Sequence, residues 1–160
     1  MKKSLSLFIA LITVISMLSV PSALAQEPPT ADEPQIIVYE DGSYLVTTIE
    51  LCGVQAASAT KTNTETRTKT VTYYSQSGDV EWKVEVVGTF TYDGTTATCT
   101  TAICTASIYN KKWYVVSKSA SKSKNVAYGN AVMGYKMLGV TVDKKTCKLA
   151  LTCDPNGNFS

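Results

Sequence analysis

Five cysteines are the residues whose type and spacing best suit chemistry in this chain: Cys52, Cys99, Cys104, Cys147 and Cys153. The sequence contains no histidine, which removes Ser-His and Cys-His nucleophiles and the commonest transition-metal ligand. Four residues separate Cys99 from Cys104, and five separate Cys147 from Cys153. Cysteines of structural zinc sites usually stand about two to four residues apart. The spacing therefore favours disulfide bonds, and we predict no metal site.

The odd cysteine count leaves one thiol unpaired or free to bond to another chain. The spacing alone does not choose among the pairings of the others. Cys52 is our candidate for the unpaired residue, because it lies apart from the other four. Without a histidine to activate it, we interpret Cys52 as an unpaired or intermolecular cysteine and not as a reactive thiol.

The acidic residues show no sign of an active site. Glu81 and Glu85 lie on one face of a predicted strand with Lys83 between them, which places their carboxylates roughly 13 Å apart. That separation exceeds the spacing of paired glycosidase carboxylates, so we expect both glutamates to be solvated. The sequence also lacks the G-x-x-x-x-G-K phosphate loop and the dinucleotide-binding G-x-G-x-x-G motif. We predict no catalytic residue and no cofactor, and hence a protein that is not an enzyme.

Lysines dominate the last third of the chain, where residues 111–160 carry nine basic and two acidic side chains. Lys118, Lys122 and Lys124 lie on one side of a predicted strand, and with Tyr128 they form a candidate face for anionic cell-envelope or host polymers. Two other interpretations stay open. Lysines on an exposed strand discourage edge-to-edge pairing, and the basic third could neutralise residues 26–60, which carry six acidic and no basic groups.

Nucleic acid is not predicted as a partner. Arg67 is the only arginine, and no recognised binding motif accompanies the lysines.

An export signal precedes all of these residues. Lys2 and Lys3 are followed by a mostly apolar run over residues 5–20, and Ala23-Leu24-Ala25 provides the small side chains that signal peptidase accepts. We assign residues 1–25 to a signal peptide. We expect a secreted protein, extracellular or associated with the cell surface, with no membrane span after cleavage and with thiols free to oxidise.

The rest of the chain divides into three predicted parts. Residues 26–35 are rich in proline and acids, which predicts a flexible segment. Residues 36–62 comprise a hairpin that turns at Asp41-Gly42 and a small, polar linker. Residues 63–160 consist of repeated strand patterns separated by turns, which predicts a β-sandwich domain.

The strand patterns set the predicted fold class. Residues 80–92 alternate apolar and polar side chains, interrupted on the apolar side only by Gly88. Gly88 is expected to mark a bend, a bulge or a close approach of another backbone. No ten-residue stretch shows a helical period, so we predict an all-β antiparallel β-sandwich of about seven strands. We expect Trp113 to lie in its core.

Cys99, Trp113 and Cys153 are similar to the Cys, Trp, Cys arrangement of immunoglobulin domains, where a bridge between sheets packs against a tryptophan. Leu151 stands where that family has a tyrosine, so the resemblance suggests an immunoglobulin-like architecture only. It implies a Cys99–Cys153 bridge, and Cys104–Cys147 is the matching second pair.

A second resemblance covers most of the chain after the signal. Residues 40–49, 88–94, 117–123 and 151–153 resemble an uncharacterised family of small secreted Ser/Thr-rich all-β proteins of Gram-positive anaerobic bacteria. The resemblance implies secretion and an all-β fold, and it transfers no catalytic residue.

Two functions fit these features. The first is a non-catalytic binding or cell-surface module whose lysines contact anionic polymers. The second is a small secreted inhibitor or toxin-like effector that inserts a loop near Tyr109 and Trp113 into a target. A flat positive sheet surface would favour the first function, and a protruding loop braced by a bridge at Cys104 would favour the second.

Overall fold

Eight antiparallel β-strands form the part of the chain that the computed structural model describes, residues 33–52 and 62–160. The strands are β1 Gln35–Val38, β2 Tyr44–Leu51, β3 Asn63–Tyr74, β4 Val80–Tyr92, β5 Ala97–Ile108, β6 Trp113–Ser123, β7 Val126–Met137 and β8 Val140–Thr152. The predicted signal peptide, most of the predicted flexible segment and most of the predicted linker lie outside the described residues.

The predicted antiparallel β-sandwich is confirmed. One sheet has five strands in the order β1-β2-β3-β4-β5, and the other has three in the order β6-β7-β8. Each strand therefore pairs with its neighbour in sequence, whereas immunoglobulin domains contain Greek-key connections. The similarity to immunoglobulin domains holds for the two-sheet architecture and not for the strand order.

The N-terminal hairpin is part of the sandwich. β2 pairs with β3 along its whole length, from Tyr44 opposite Tyr74 to Leu51 opposite Arg67. The predicted turn at Asp41-Gly42 is present, with Gly42 at φ +77° and its N–H donating to the Tyr39 carbonyl over 3.0 Å. The hairpin thus supplies two of the eight strands instead of preceding the sandwich as a separate unit.

The core lies between the two sheets and follows the alternation seen in the sequence. Trp82, Val84, Val86 and Phe90 of β4 are each at most 1% exposed. From the other sheet they meet Ala127, Ala131, Met133, Leu149 and Leu151, all buried. Trp113 is 6% exposed and packs edge-on against Tyr73 and Trp82, which confirms its predicted core position.

Gly88 marks both a close approach and the neighbourhood of a bulge, as predicted. A Cβ at Gly88 would lie 2.9 Å from the Cβ of Ala127 in the opposite sheet, and one at Gly129 would lie 2.9 Å from the Cβ of Val86. These distances are too short for carbon atoms in contact, so the sheets approach here because both positions lack a side chain. The pairing of β4 with β5 shifts next to Gly88, between Thr89 and Phe90.

Candidate functional site

Two of the predicted polymer-binding residues, Lys118 and Lys122, lie at the edge of the sandwich. Lys118 pairs with Ala131 and Lys122 with Ala127, and both alanines are buried. Residues paired across strands share a face of the sheet, so both lysines occupy inner-face positions of the edge strand β6. The Lys122 ammonium donates a hydrogen bond to the carbonyl of Thr100 in β5. Lys122 therefore links the edge strands of the two sheets, and a lysine at such an edge is one way proteins protect it.

The other two predicted residues lie elsewhere. Tyr128 pairs with Ser121 and Ala150, which are exposed, so its ring is on the outer face of the three-stranded sheet. Lys124 has φ +53° and occupies the two-residue turn between β6 and β7. The structure therefore does not bring Lys118, Lys122, Lys124 and Tyr128 together on one surface.

The outer face of the three-stranded sheet carries three exposed lysines that were not among the predicted residues: Lys136, Lys144 and Lys148. Lys148 is diagonal to Tyr128, because its partner Asn130 stands two residues further along β7. The remaining outer-face side chains of β6 to β8 are mostly short and polar, and include Ser117, Ser119, Ser121, Ser123, Asn130 and Thr146. We call this surface the basic face.

No acidic residue of β6 to β8 lies on the basic face. Asp143 is opposite Tyr135 and belongs to the inner face. The ammonium group of Lys136 makes a cation–π contact with Tyr114, its nitrogen lying 4.3 Å from the ring centroid. The Tyr114 ring lies over Gly134, and a Cβ at Gly134 would be only 2.5 Å from that ring. The Tyr114 hydroxyl is 2.6 Å from the Thr141 hydroxyl. The basic face is therefore positive and locally ordered.

Cys99 and Cys153 lie on either side of the turn between β6 and β7. The backbone N–H of Cys99 donates to the carbonyl of Lys124 over 2.7 Å, and that of Cys153 donates to the carbonyl of Asn125 over 3.1 Å. Cys99 belongs to the five-stranded sheet, and Cys153 follows the last strand of the other sheet. The predicted partners are thus neighbours across the interface between the sheets.

Cys104 and Cys147 form a second neighbouring pair. The sulfur of Cys104 is 3.8 Å from the carbonyl oxygen of Asn130 in β7. Cys147 is buried and lies opposite Ala131, the residue that follows Asn130. The two cysteines of this pair also belong to different sheets, Cys104 to β5 and Cys147 to β8.

All five cysteines are free thiols in this structure, so the two predicted bridges are not formed in it. Burial, together with the nearby Cys104, raises the pKa of Cys147 to about 11. Burial raises the pKa of Cys153 to about 11 as well, with smaller contributions from charges that include Asp154 and Cys99. Both groups are protonated at neutral pH, which makes them poor nucleophiles and poor metal ligands. Cys52 is exposed, and its lack of a partner stays a prediction.

A cleft of about 380 Å³ opens at one end of the sandwich, between the β1–β2 turn, the β3–β4 turn and the β5–β6 loop. Tyr73, Trp113 and Tyr135 supply its aromatic wall. Its charged lining residues are Asp41, Glu81, Lys112, Asp143 and Lys145. We call it the end cleft. None of the charged residues was predicted to form a site, because together with the aromatic wall they come from seven separate strands, turns and loops.

Glu81 enters the end cleft because of a β-bulge. Tyr73 pairs with Trp82 and Tyr74 with Val80, which leaves Glu81 as the extra residue of β4. A bulge interrupts the alternation of faces and redirects a side chain. Glu81 is only 9% exposed, so the expectation that it is solvated is wrong.

Most charges of the end cleft have partners. The Lys145 ammonium lies 3.7 Å from an Asp143 carboxylate oxygen and 4.7 Å from the ring centroid of Tyr39. The hydrogen bond from the Ser43 hydroxyl lowers the pKa of Asp41. Within residues 33–52 and 62–160, the Glu81 carboxylate has neither a hydrogen-bond nor an ion-pair partner. Glu81 is therefore an acceptor left open to a ligand.

The described ranges contain neither a candidate metal centre nor a candidate membrane-spanning helix. No group of three or more His, Cys, Asp or Glu side chains in residues 33–52 and 62–160 is arranged to hold a metal ion. The same residues contain no helix of the length and apolarity that crossing a membrane requires.

Comparison with protein-family models, with curated proteins and with solved structures found no match to this chain. The similarity to secreted proteins of Gram-positive anaerobes and the export signal both stay predictions.

Proposed function

We propose that this protein is an exported, non-catalytic binding module whose basic face holds anionic polymers of the cell envelope or of a host. The observation that carries this proposal is the presence of three lysines and no acid on the outer face of β6 to β8. The three lysines are exposed among mostly short polar side chains, so an extended polyanion can reach them from solvent.

The β5–β6 loop supports this function over an inhibitor that inserts a loop into its target. Residues 109–112 connect the two strands, and the N–H groups of Tyr109 and Asn110 both donate to the Glu81 carbonyl, over 3.0 and 3.1 Å. Trp113, which follows the loop, is buried in the core. A loop this short and this closely tied to β4 offers little to insert into a cavity.

Replacing the three lysines of the basic face should weaken polymer binding. We expect the K136Q/K144Q/K148Q variant to bind labelled poly-glutamate or dextran sulfate at least about tenfold more weakly than wild type in low salt, because each lysine neutralises one polymer charge and releases its counterion. Wild-type binding should fall steeply as NaCl is raised. Fluorescence anisotropy of the labelled polymer measures both effects.

The matched control is K118Q/K122Q, which removes lysines from the sandwich edge and leaves the basic face intact. This variant should keep most of the affinity. The proposal fails if wild type does not bind, if binding is insensitive to salt, or if the edge variant loses as much affinity as the basic-face variant.

The end cleft favours a second candidate function, the binding of a small ligand that carries an ammonium group. Its support is Glu81, a mostly buried residue whose carboxylate has no hydrogen-bond or ion-pair partner among the described residues and which lines the cleft together with Trp113 and Tyr135. A carboxylate beside aromatic rings is a suitable environment for an organic cation.

Glucosamine and glucose form a matched pair of probes for the end cleft, since they differ by the charged amine. We expect titration calorimetry to detect glucosamine but not glucose, and E81Q to weaken glucosamine binding by about tenfold or more. E85Q makes the same change on the same strand outside the cleft and should bind like wild type. Equal binding of both sugars, or unchanged binding by E81Q, would exclude this candidate.

A further inference from the structure

The tip of the β7–β8 hairpin is apolar and extends beyond its neighbour β6. The last residue pair between β6 and β7 is Trp113 with Tyr135, whereas β7 and β8 remain paired as far as Met137 and Val140. Four large apolar side chains at this tip are more than half exposed: Met137 56%, Leu138 100%, Val140 65% and Val142 55%. We call residues 137–142 the hairpin tip.

Leu138 is a residue that turn geometry does not favour. Leu138 and Gly139 form the two-residue turn, and both have positive φ, +51° and +82°. Such turns strongly prefer asparagine, aspartate or glycine, because a left-handed conformation is strained for a residue such as leucine. Leu138 is also fully exposed and packs against nothing. Neither the turn nor the core accounts for a leucine at this position.

Lysines surround the base of the hairpin tip. Lys136 precedes it on β7, and Lys144 follows it on β8. Lys111 and Lys112 lie in the adjacent loop, and the Lys136 N–H donates to the Lys112 carbonyl over 2.8 Å. The four side chains are exposed, and the acid nearest in sequence, Asp143, is 3.7 Å from the ammonium of Lys145. The tip is thus an apolar projection with a positively charged base.

We propose that the hairpin tip inserts into the surface of an anionic lipid bilayer. In this arrangement Leu138 and its apolar neighbours enter the interface between headgroups and acyl chains, while the four lysines contact lipid phosphates. A convex tip that is apolar on both strands fits a fluid bilayer without a preformed pocket, and its positive base requires a surface of negative charge. The base of the hairpin tip shares Lys136 and Lys144 with the basic face, but the exposed apolar side chains belong to the tip alone.

The test uses protein purified after export and co-sedimentation with lipid vesicles. We expect binding to vesicles that contain phosphatidylglycerol. Affinity for vesicles of pure phosphatidylcholine should be lower by at least about tenfold. The double variant L138N/V140T should reduce partitioning into phosphatidylglycerol vesicles by about tenfold or more, since it replaces the two most exposed of the four apolar side chains with polar ones.

Leu138→Asn also separates a membrane role from a structural one. Asparagine followed by glycine suits this turn better than leucine does, so L138N should leave the thermal midpoint unchanged or raise it while binding is lost. I103T makes a comparable change at an exposed residue of β5, 52% exposed, and should bind vesicles like wild type.

The outcomes for lipid and polymer are distinguishable. L138N/V140T should retain wild-type affinity for polyanions measured without lipid, so failure of either proposal leaves the other standing. The membrane proposal is wrong if wild type does not bind phosphatidylglycerol vesicles or if L138N/V140T binds as well as wild type. It is also wrong if ultracentrifugation shows that the tip instead joins two copies of the chain and no vesicle binding occurs.

Discussion

Oxidation of the purified protein is expected to join Cys99 to Cys153 and Cys104 to Cys147, and the first bridge alone should raise the free energy of unfolding by about 4 kcal/mol. The Cys99–Cys153 and Cys104–Cys147 bridges would close loops of roughly 55 and 45 residues, and a loop of that size restricts the unfolded chain by about 4 kcal/mol in the chain-entropy model. The two loops are nested, so the second bridge should add less than the first. The members of each pair are neighbours across the two sheets, so each bond would link one sheet to the other.

Urea unfolding with and without oxidised glutathione measures this stabilisation. When a bridge forms, its two cysteine thiols lose two electrons and two protons. One molecule of glutathione disulfide accepts them and is reduced to two thiols. Because burial raises the pKa of Cys147 and Cys153 to about 11, oxidation should proceed faster at mildly alkaline than at neutral pH. C52S should behave like wild type. Peptide mapping that finds other pairs, or an oxidised form no more stable than the reduced one, would contradict the prediction.

Replacement of Trp82 by alanine should destabilise the protein by about 3–5 kcal/mol, the cost of removing a large aromatic side chain from a core. Trp82 is 1% exposed, stacks on Tyr73 with ring centroids 5.0 Å apart, and meets Trp113 edge-on at 6.0 Å. Its removal leaves a cavity among rings that cannot collapse without moving both sheets. Urea unfolding of the reduced protein measures the loss independently of the disulfides.

The control for this substitution is Y109A, which removes an aromatic ring that is 60% exposed. That change should cost less than about 0.5 kcal/mol, the usual range for surface positions. A loss below about 1 kcal/mol for W82A would show that the aromatic cluster does not anchor the sandwich.

The fold could be predicted because its signals are local. Alternation along residues 80–92 identifies both the strand and its buried face, and the turn at Asp41-Gly42 is recognisable from two residues. The pairing of β2 with β3 is not local, since the predicted linker separates them. The sequence therefore predicts a hairpin correctly without showing that it completes the five-stranded sheet.

The candidate sites were harder to predict because they depend on which face of a strand is covered. Lys118 and Lys122 alternate with serines, but only the pairing with Ala131 and Ala127 shows that the lysines take the inner side. Lys144 and Lys148 lie on the face of β8 that points away from its buried apolar residues. The acid-free surface that they share with Lys136 becomes visible only when the strand pairing is known. Glu81 was missed because a bulge changes the face of a residue without changing the sequence pattern.

The sequential strand order also determines at which stage of folding the disulfide bonds can form. Apart from the longer β2–β3 connection, each sheet is built from hairpins between successive strands, so most of either layer can form from contacts close along the chain. Cys99 and Cys104 belong to one layer, while Cys147 and Cys153 belong to the other. The disulfide bonds can therefore form only after the two sheets have packed together. The rate at which the bonds appear during folding would report the rate of that packing step.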